Sequence, residues 1–322
     1  MEPTTGDGFT GYALAHLPVG EVTLRVRSGG SGPPLLLLHG YPETHLMWGG
    51  IAEALAERFT VVAPDLRGYG DSSTPPTVPG HATYGKRAMA ADGVTLMRQL
   101  GFDRFDVVGH DRGGRAAYRM ALDSPEAVRR VTVMDVVPTA EVWARADARM
   151  ALGYWHWAFL AQPEPIPERI VAADPEFFFL DAEFGGVIRG FRPEAVADYA
   201  RCIRDPAVVH AMCEDYRAGA TCDRDDDEAD RAAGRRITSP LQVLWAGRGA
   251  LAAWYDTLAV WHDWADDVTG EALDSGHFLV EEKPAETLAA ILRFHGGETH
   301  EGTGPDSDGA AAPAGAAEGG PR

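Results

Sequence analysis

The chain has 322 residues, 45% hydrophobic and 24% charged, a composition that suits one large soluble α/β domain with a smaller insertion. Its 29 basic and 48 acidic residues leave a net charge of −19, which argues against nucleic acid or an anionic membrane as partner. The same charge repels a small anionic substrate unless a local cluster of cations reverses the field.

Three cysteines (Cys202, Cys213 and Cys222) form no disulfide framework and lack CxxC spacing, so packed, reduced thiols are expected. The N-terminus has neither a basic leader nor an apolar run, and no stretch approaches the roughly 18 continuous apolar residues of a membrane span. The expectation is a cytoplasmic protein that uses no metal and no cofactor.

In chain order, residues 12–15 and 22–26 read as an antiparallel edge pair of strands. Apolar, β-type runs follow at 35–38, 60–63, 105–108 and 131–136, with helical segments between them near 46–57 and 85–100. That alternation predicts a mostly parallel, doubly wound sheet. The rhythm stops after Pro138. Residues 139–237 carry helical patterning and many aromatics but no strand pattern, and the acidic run 223–230 within them reads as solvated surface. Strands return at 241–245 and 268–273, and a last helix spans 285–294. The predicted organisation is therefore a core in two parts, 1–137 and 238–296, with a helical cap, 138–237, over the carboxyl edge where open α/β sheets bind ligands. Residues 297–322 are dominated by Gly, Ala and Pro and are expected to be disordered.

The decisive segment is Gly109-His110-Asp111-Arg112-Gly113, which follows an apolar strand and opens a helix. This is the G-x-nucleophile-x-G elbow of an α/β-hydrolase fold, with Asp where esterases place Ser. A glycine-rich turn carrying an aspartate is also a common structural feature. Here the flanking strand and helix, and an upstream strand ending in Leu38-His39-Gly40-Tyr41-Pro42-Glu43, favour a nucleophile. The backbone N–H groups of Tyr41 and Arg112 are then the expected oxyanion hole. A carboxylate nucleophile forms an alkyl ester by displacement at an sp³ carbon, and an activated water hydrolyses it. Dehalogenation and epoxide opening both fit; ordinary ester hydrolysis does not.

His277, in the segment Asp274-Ser-Gly-His-Phe between the last strand and the last helix, is the expected base. The loop 244–251 offers no carboxylate, so the orienting acid is assigned to Asp135 at the end of the strand before the cap. Asp256 is a weaker choice inside a predicted helix. Apart from His39, His110 and His156, the other histidines read as surface or packing residues.

With these residues placed, the chain resembles the fluoroacetate (haloacetate) dehalogenases over most of residues 20–296. The segments HGYPETHLMW, DLRGYGDSS, GHDRGGRAAYRM, YWHWAFLAQPEP and CEDYRAGA carry the likeness. The resemblance implies that Arg112 and Arg115 hold a substrate carboxylate, that His156, Trp157 and Tyr216 form a halide pocket, and that a haloacid is turned over by a homodimer. On the residues alone, Arg112 and Arg115 are two cations on the first turn of a helix, and the three cap residues read first as an aromatic core. Segment 182–187 is small and glycine-rich where the pocket wall is expected, which points to flexibility there and to room for larger acyl chains. The competing readings are a soluble epoxide hydrolase, which has no use for the two arginines, and a non-catalytic binding protein of the same fold.

Overall fold

The computed structural model describes residues 6–296; the expected disordered segment 297–322 lies outside them. Eight strands form one sheet: β1 (Ala13–Val19), β2 (Val22–Gly30), β3 (Pro34–Leu38), β4 (Thr60–Pro64), β5 (Phe105–His110), β6 (Val128–Met134), β7 (Leu241–Ala246) and β8 (Val268–Leu273). Their spatial order is β1-β2-β4-β3-β5-β6-β7-β8. β2 pairs antiparallel with β1 and β4, and every later pairing is parallel.

The central strands are buried on both faces, so β3 and β5 read as continuous apolar runs rather than alternating ones. Two hydrophobic cores follow from this. One contains Leu36, Val107 and Val133 and extends into the helical insertion through Trp157 and Tyr216; the other contains Leu35, Val108 and Leu244.

The segment at 46–57, expected as one helix, is instead a 3₁₀ turn (His45–Gly50) followed by a short α-helix (Ala52–Ala56). Gly49 and Gly50 sit at the break, and a Cβ on Gly49 would come within 2.6 Å of the Asp7 carbonyl oxygen. The helices Lys86–Gln99 and Pro284–His295 stand where the sequence places them.

Between β6 and β7 the chain forms a run of helices and contributes no strand to the sheet. The acidic run departs from its expected role. It forms the helix Cys222–Ala232, whose Asp223, Asp227 and Asp230 are buried rather than solvated. Positions i, i+4 and i+7 share one helical face, and here that face meets cations of the core. Arg119 binds Asp227 at 2.7 Å and Asp230 at 2.5 Å, and Asp223 accepts the backbone N–H of Lys86. Cys202 and Cys213 are buried free thiols, and Cys222 is partly exposed.

Candidate active site

Asp111 occupies the first position of the helix Asp111–Asp123, straight after β5. Its φ is +45°, a conformation that L residues adopt at a cost of about 1–3 kcal/mol. The flanking glycines are obligatory. A Cβ on Gly109 would lie 2.3 Å from the Gly113 carbonyl oxygen, and one on Gly113 would lie 2.3 Å from that of Leu38. The turn thereby lifts the carboxylate to the sheet edge at a helix N-terminus. Asp111 Oδ1 accepts the Tyr41 backbone N–H at 3.2 Å, the donor foreseen for one half of an oxyanion hole. The Arg112 amide, the other half, follows on the first helical turn.

His277 Nε2 stands 3.9 Å from Asp111 Oδ2, and its Nδ1 lies 2.6 Å from Asp135 Oδ2. Asp135 is itself held in a left-handed conformation, φ +51°, and its Oδ1 accepts the Ala246 N–H at 3.0 Å. The sequence-assigned acid, base and nucleophile thus meet, while Asp256 caps the helix Thr257–His262. Burial opposes ionisation of Asp111, but His277, Arg112, His110 and Arg115 outweigh it and hold the carboxyl well below the usual range. Burial also disfavours the charged form of His277. Asp135, through its hydrogen bond and charge, and then Asp111 overcome that and raise the imidazole to about 9.

These three residues line a cavity of about 200 Å³ between the strand ends and the helical insertion. Its walls also include Tyr41, Arg115, His156, Trp157, Glu183 and Tyr216. Arg115 donates through Nη1 to the Val137 carbonyl (2.9 Å) and Thr139 Oγ1 (3.1 Å), and its guanidinium lies 4.6 Å from the Trp157 ring centre. Arg112 is not among the residues that line the cavity. Asp215 of the insertion takes its Nη2, and its guanidinium sits 4.4 Å from the Tyr216 ring centre. Nε and Nη1 of Arg112 and Nε of Arg115 have no protein partner. Asp215 also binds Lys86 and accepts the Tyr69 hydroxyl at 2.8 Å, so one buried carboxylate gathers two core cations.

His156, Trp157 and Tyr216 do converge, with ring centres 5.6 Å apart for His156–Tyr216 and 6.0 Å for Trp157–Tyr216. Segment 182–187 lies at the pocket wall, where the sequence places it, and contributes lining residues. Ala182 and Glu183 close a π-helical turn, Phe177–Glu183, and face the cavity. Sequence reasoning missed Glu183, although an acid set among Phe177, Phe178, Phe179 and Phe184 is a signal of a buried carboxyl. It also missed the support behind the elbow. His110 Nδ1 lies 3.0 Å from Glu43 Oε2, and its Nε2 lies 2.8 Å from the His277 carbonyl oxygen. Burial raises the carboxyls of both Glu43 and its neighbour Glu281, which accepts the Tyr199 hydroxyl.

The alpha/beta hydrolase fold family matches residues 33–284. A fluoroacetate dehalogenase from Burkholderia sp is 44% identical over 89% of this chain and 94% of its own length. A soluble epoxide hydrolase from Corynebacterium sp. (strain C12) is 33% identical over 83% of this chain and 91% of its own. The crystal structure of ALR0039 from Nostoc sp PCC 7120 superposes with a TM-score of 0.87 at 47% identity, covering 91% of this chain and 99% of that one. A match running from β3 to the start of the final helix, around an intact elbow, means that this chain belongs to the α/β-hydrolase family and is a hydrolase.

Proposed function

We propose that the protein is a haloacetate dehalogenase that converts fluoroacetate to glycolate and fluoride. The observation that carries this reading is the meeting, in one cavity of about 200 Å³, of the ionised Asp111 and the guanidinium of Arg115. A cation beside a carboxylate nucleophile suits an anionic substrate, and a volume below the usual 300–1,000 Å³ of ligand pockets suits a small one.

Arg115 holds the substrate carboxylate, and Arg112 adds a second positive charge behind the wall. Held this way, the α-carbon faces Asp111, whose carboxylate displaces the halide and forms an ester. His156, Trp157 and Tyr216 supply N–H and O–H groups to the departing halide. In the resting state His277 carries a proton between two carboxylates. Esterification removes the charge of Asp111, so His277 releases that proton and becomes the base for water. Water adds to the Asp111 carbonyl carbon, the Tyr41 and Arg112 amides stabilise the oxyanion, and glycolate leaves. The net reaction consumes one water and releases one halide and one proton.

The 44% identity to a fluoroacetate dehalogenase supports this reading, and the 33% identity to an epoxide hydrolase defines its competitor. The test sets halide release from fluoroacetate and chloroacetate beside diol formation from a styrene-type epoxide. Halide release without diol is expected. Diol formation without halide release would assign the site to epoxides.

A further inference from the structure

Glu183 enters the cavity as a third carboxyl, after Asp111 and Asp135, and the proposed reaction leaves it without a role. Its side chain is only 6% exposed. Oε1 has no protein partner, and Oε2 stands 3.2 Å from His156 Nδ1. His156 in turn stacks on Tyr41 with ring centres 6.0 Å apart. With Nδ1 turned to Glu183, Nε2 is the nitrogen left to serve the cavity.

We propose that Glu183 is a positioning residue whose carboxylic acid O–H donates to His156 Nδ1 and so commits the His156 hydrogen to Nε2, where it meets the leaving group. The inference rests on the dehalogenase reading in taking His156 as a leaving-group donor.

The charges around the pair support it. Burial, and then the charge of Asp111, push the Glu183 carboxyl up to about 8, while burial pulls His156 down to about 3. His277 and Arg112 also act on them, Asp135 and Arg115 line the same cavity, and Tyr41, Tyr154 and Tyr216 are phenols that burial keeps protonated. At neutral pH neither partner is charged, so one hydrogen lies between them, and Glu183 brings it. An imidazole with Nδ1 as acceptor carries its own hydrogen on Nε2. When Glu183 ionises it can only accept. The imidazole hydrogen then moves to Nδ1, and an Nε2 lone pair faces a departing anion. The pocket thereby loses a donor and gains an acceptor.

The test uses full-length protein labelled with ¹⁵N-histidine, free of substrate, followed by NMR from about pH 6 to pH 10, in wild type and in Glu183→Gln. Wild-type His156 is expected to pass from the Nε2–H to the Nδ1–H form with a midpoint near 8. The variant, which has no carboxyl to ionise, is expected to keep one form throughout. Fluoride release gives a second reading. His277 titrates in both proteins, so the ratio of wild type to variant isolates Glu183; it is expected to fall at least about tenfold between pH 7 and pH 9.5. A wild-type tautomer that does not change with pH, or changes identically in Glu183→Gln, overturns the proposal. A tautomer change in a protein that releases no halide from any haloacetate upholds the Glu183–His156 coupling and removes the dehalogenase reading instead.

Discussion

The pair Asp111 and His277 carries opposite charges in the resting state, and each holds the other in that form. The carboxyl is acidic because an imidazolium and two guanidinium groups surround it, which favours the nucleophile. On the proposed route the same field makes His277 a poor base until Asp111 is esterified. The two chemical steps therefore need different states of one imidazole. The His277→Asn variant is expected to complete the first step and stall before the second. After exposure to fluoroacetate, mass spectrometry is expected to find the peptide containing Asp111 heavier by one carboxymethyl group, with turnover reduced at least about a thousandfold. An unmodified peptide would exclude the covalent route.

At the scale of elements, the helix Cys222–Ala232 shows how an acidic run becomes part of the interior. Arg119 lies on the helix that follows the elbow and is 2% exposed at its side chain, and its partners Asp227 and Asp230 are 1% and 4% exposed. Tyr118 and the Ala140 amide complete the hydrogen bonding of Asp227. Removing Arg119 takes from Asp227 its guanidinium partner, while Asp230 keeps Arg235 at 2.7 Å, and losing one partner of a buried ion pair costs about 3–5 kcal/mol. Arg119→Ala is thus expected to destabilise the protein by about that amount, read as a lower urea midpoint with an unchanged slope. A change below about 1 kcal/mol would mean that the two aspartates find other partners.

These contrasts locate what the sequence makes legible. Strand positions, the elbow and the chain order of Asp111, Asp135 and His277 follow from local rules: apolar runs, a turn that tolerates only glycine, and the loops at strand ends. Asp135 could be reached by elimination because the loop after β7 holds no acid. The buried face of the acidic helix could not be reached in that way, and for Glu183 only the neighbouring phenylalanines hint at burial. Their burial depends on which distant helix packs against them, and a charge far along the chain leaves no mark on local periodicity. For Arg112, the first-turn position was legible, but its capture by Asp215, 103 residues later, was not.

For the whole molecule, the net charge of −19 opposes the approach of an anion, while Arg115 attracts it only at short range. Exposed charges act over a Debye length, about 30 Å at 0.01 M salt and about 8 Å at 0.15 M. Raising sodium sulfate across that interval should screen the repulsion more than the buried attraction. The kcat/KM for chloroacetate is expected to rise about two- to fivefold, while that for neutral chloroacetamide stays level. A fall with chloroacetate would show that long-range attraction dominates and that the bulk charge is irrelevant to capture.

Asp215 joins the helical insertion to Arg112, Lys86 and Tyr69 of the core, and Asp227 joins it to Tyr118 and Arg119. A roof pinned at two buried points is costly to lift for its guest. The size of the chamber beneath it then sorts one visitor from another. Ala182 stands among the residues that line it, so a larger side chain there would alter the admission rule while the charged groups inside stayed the same.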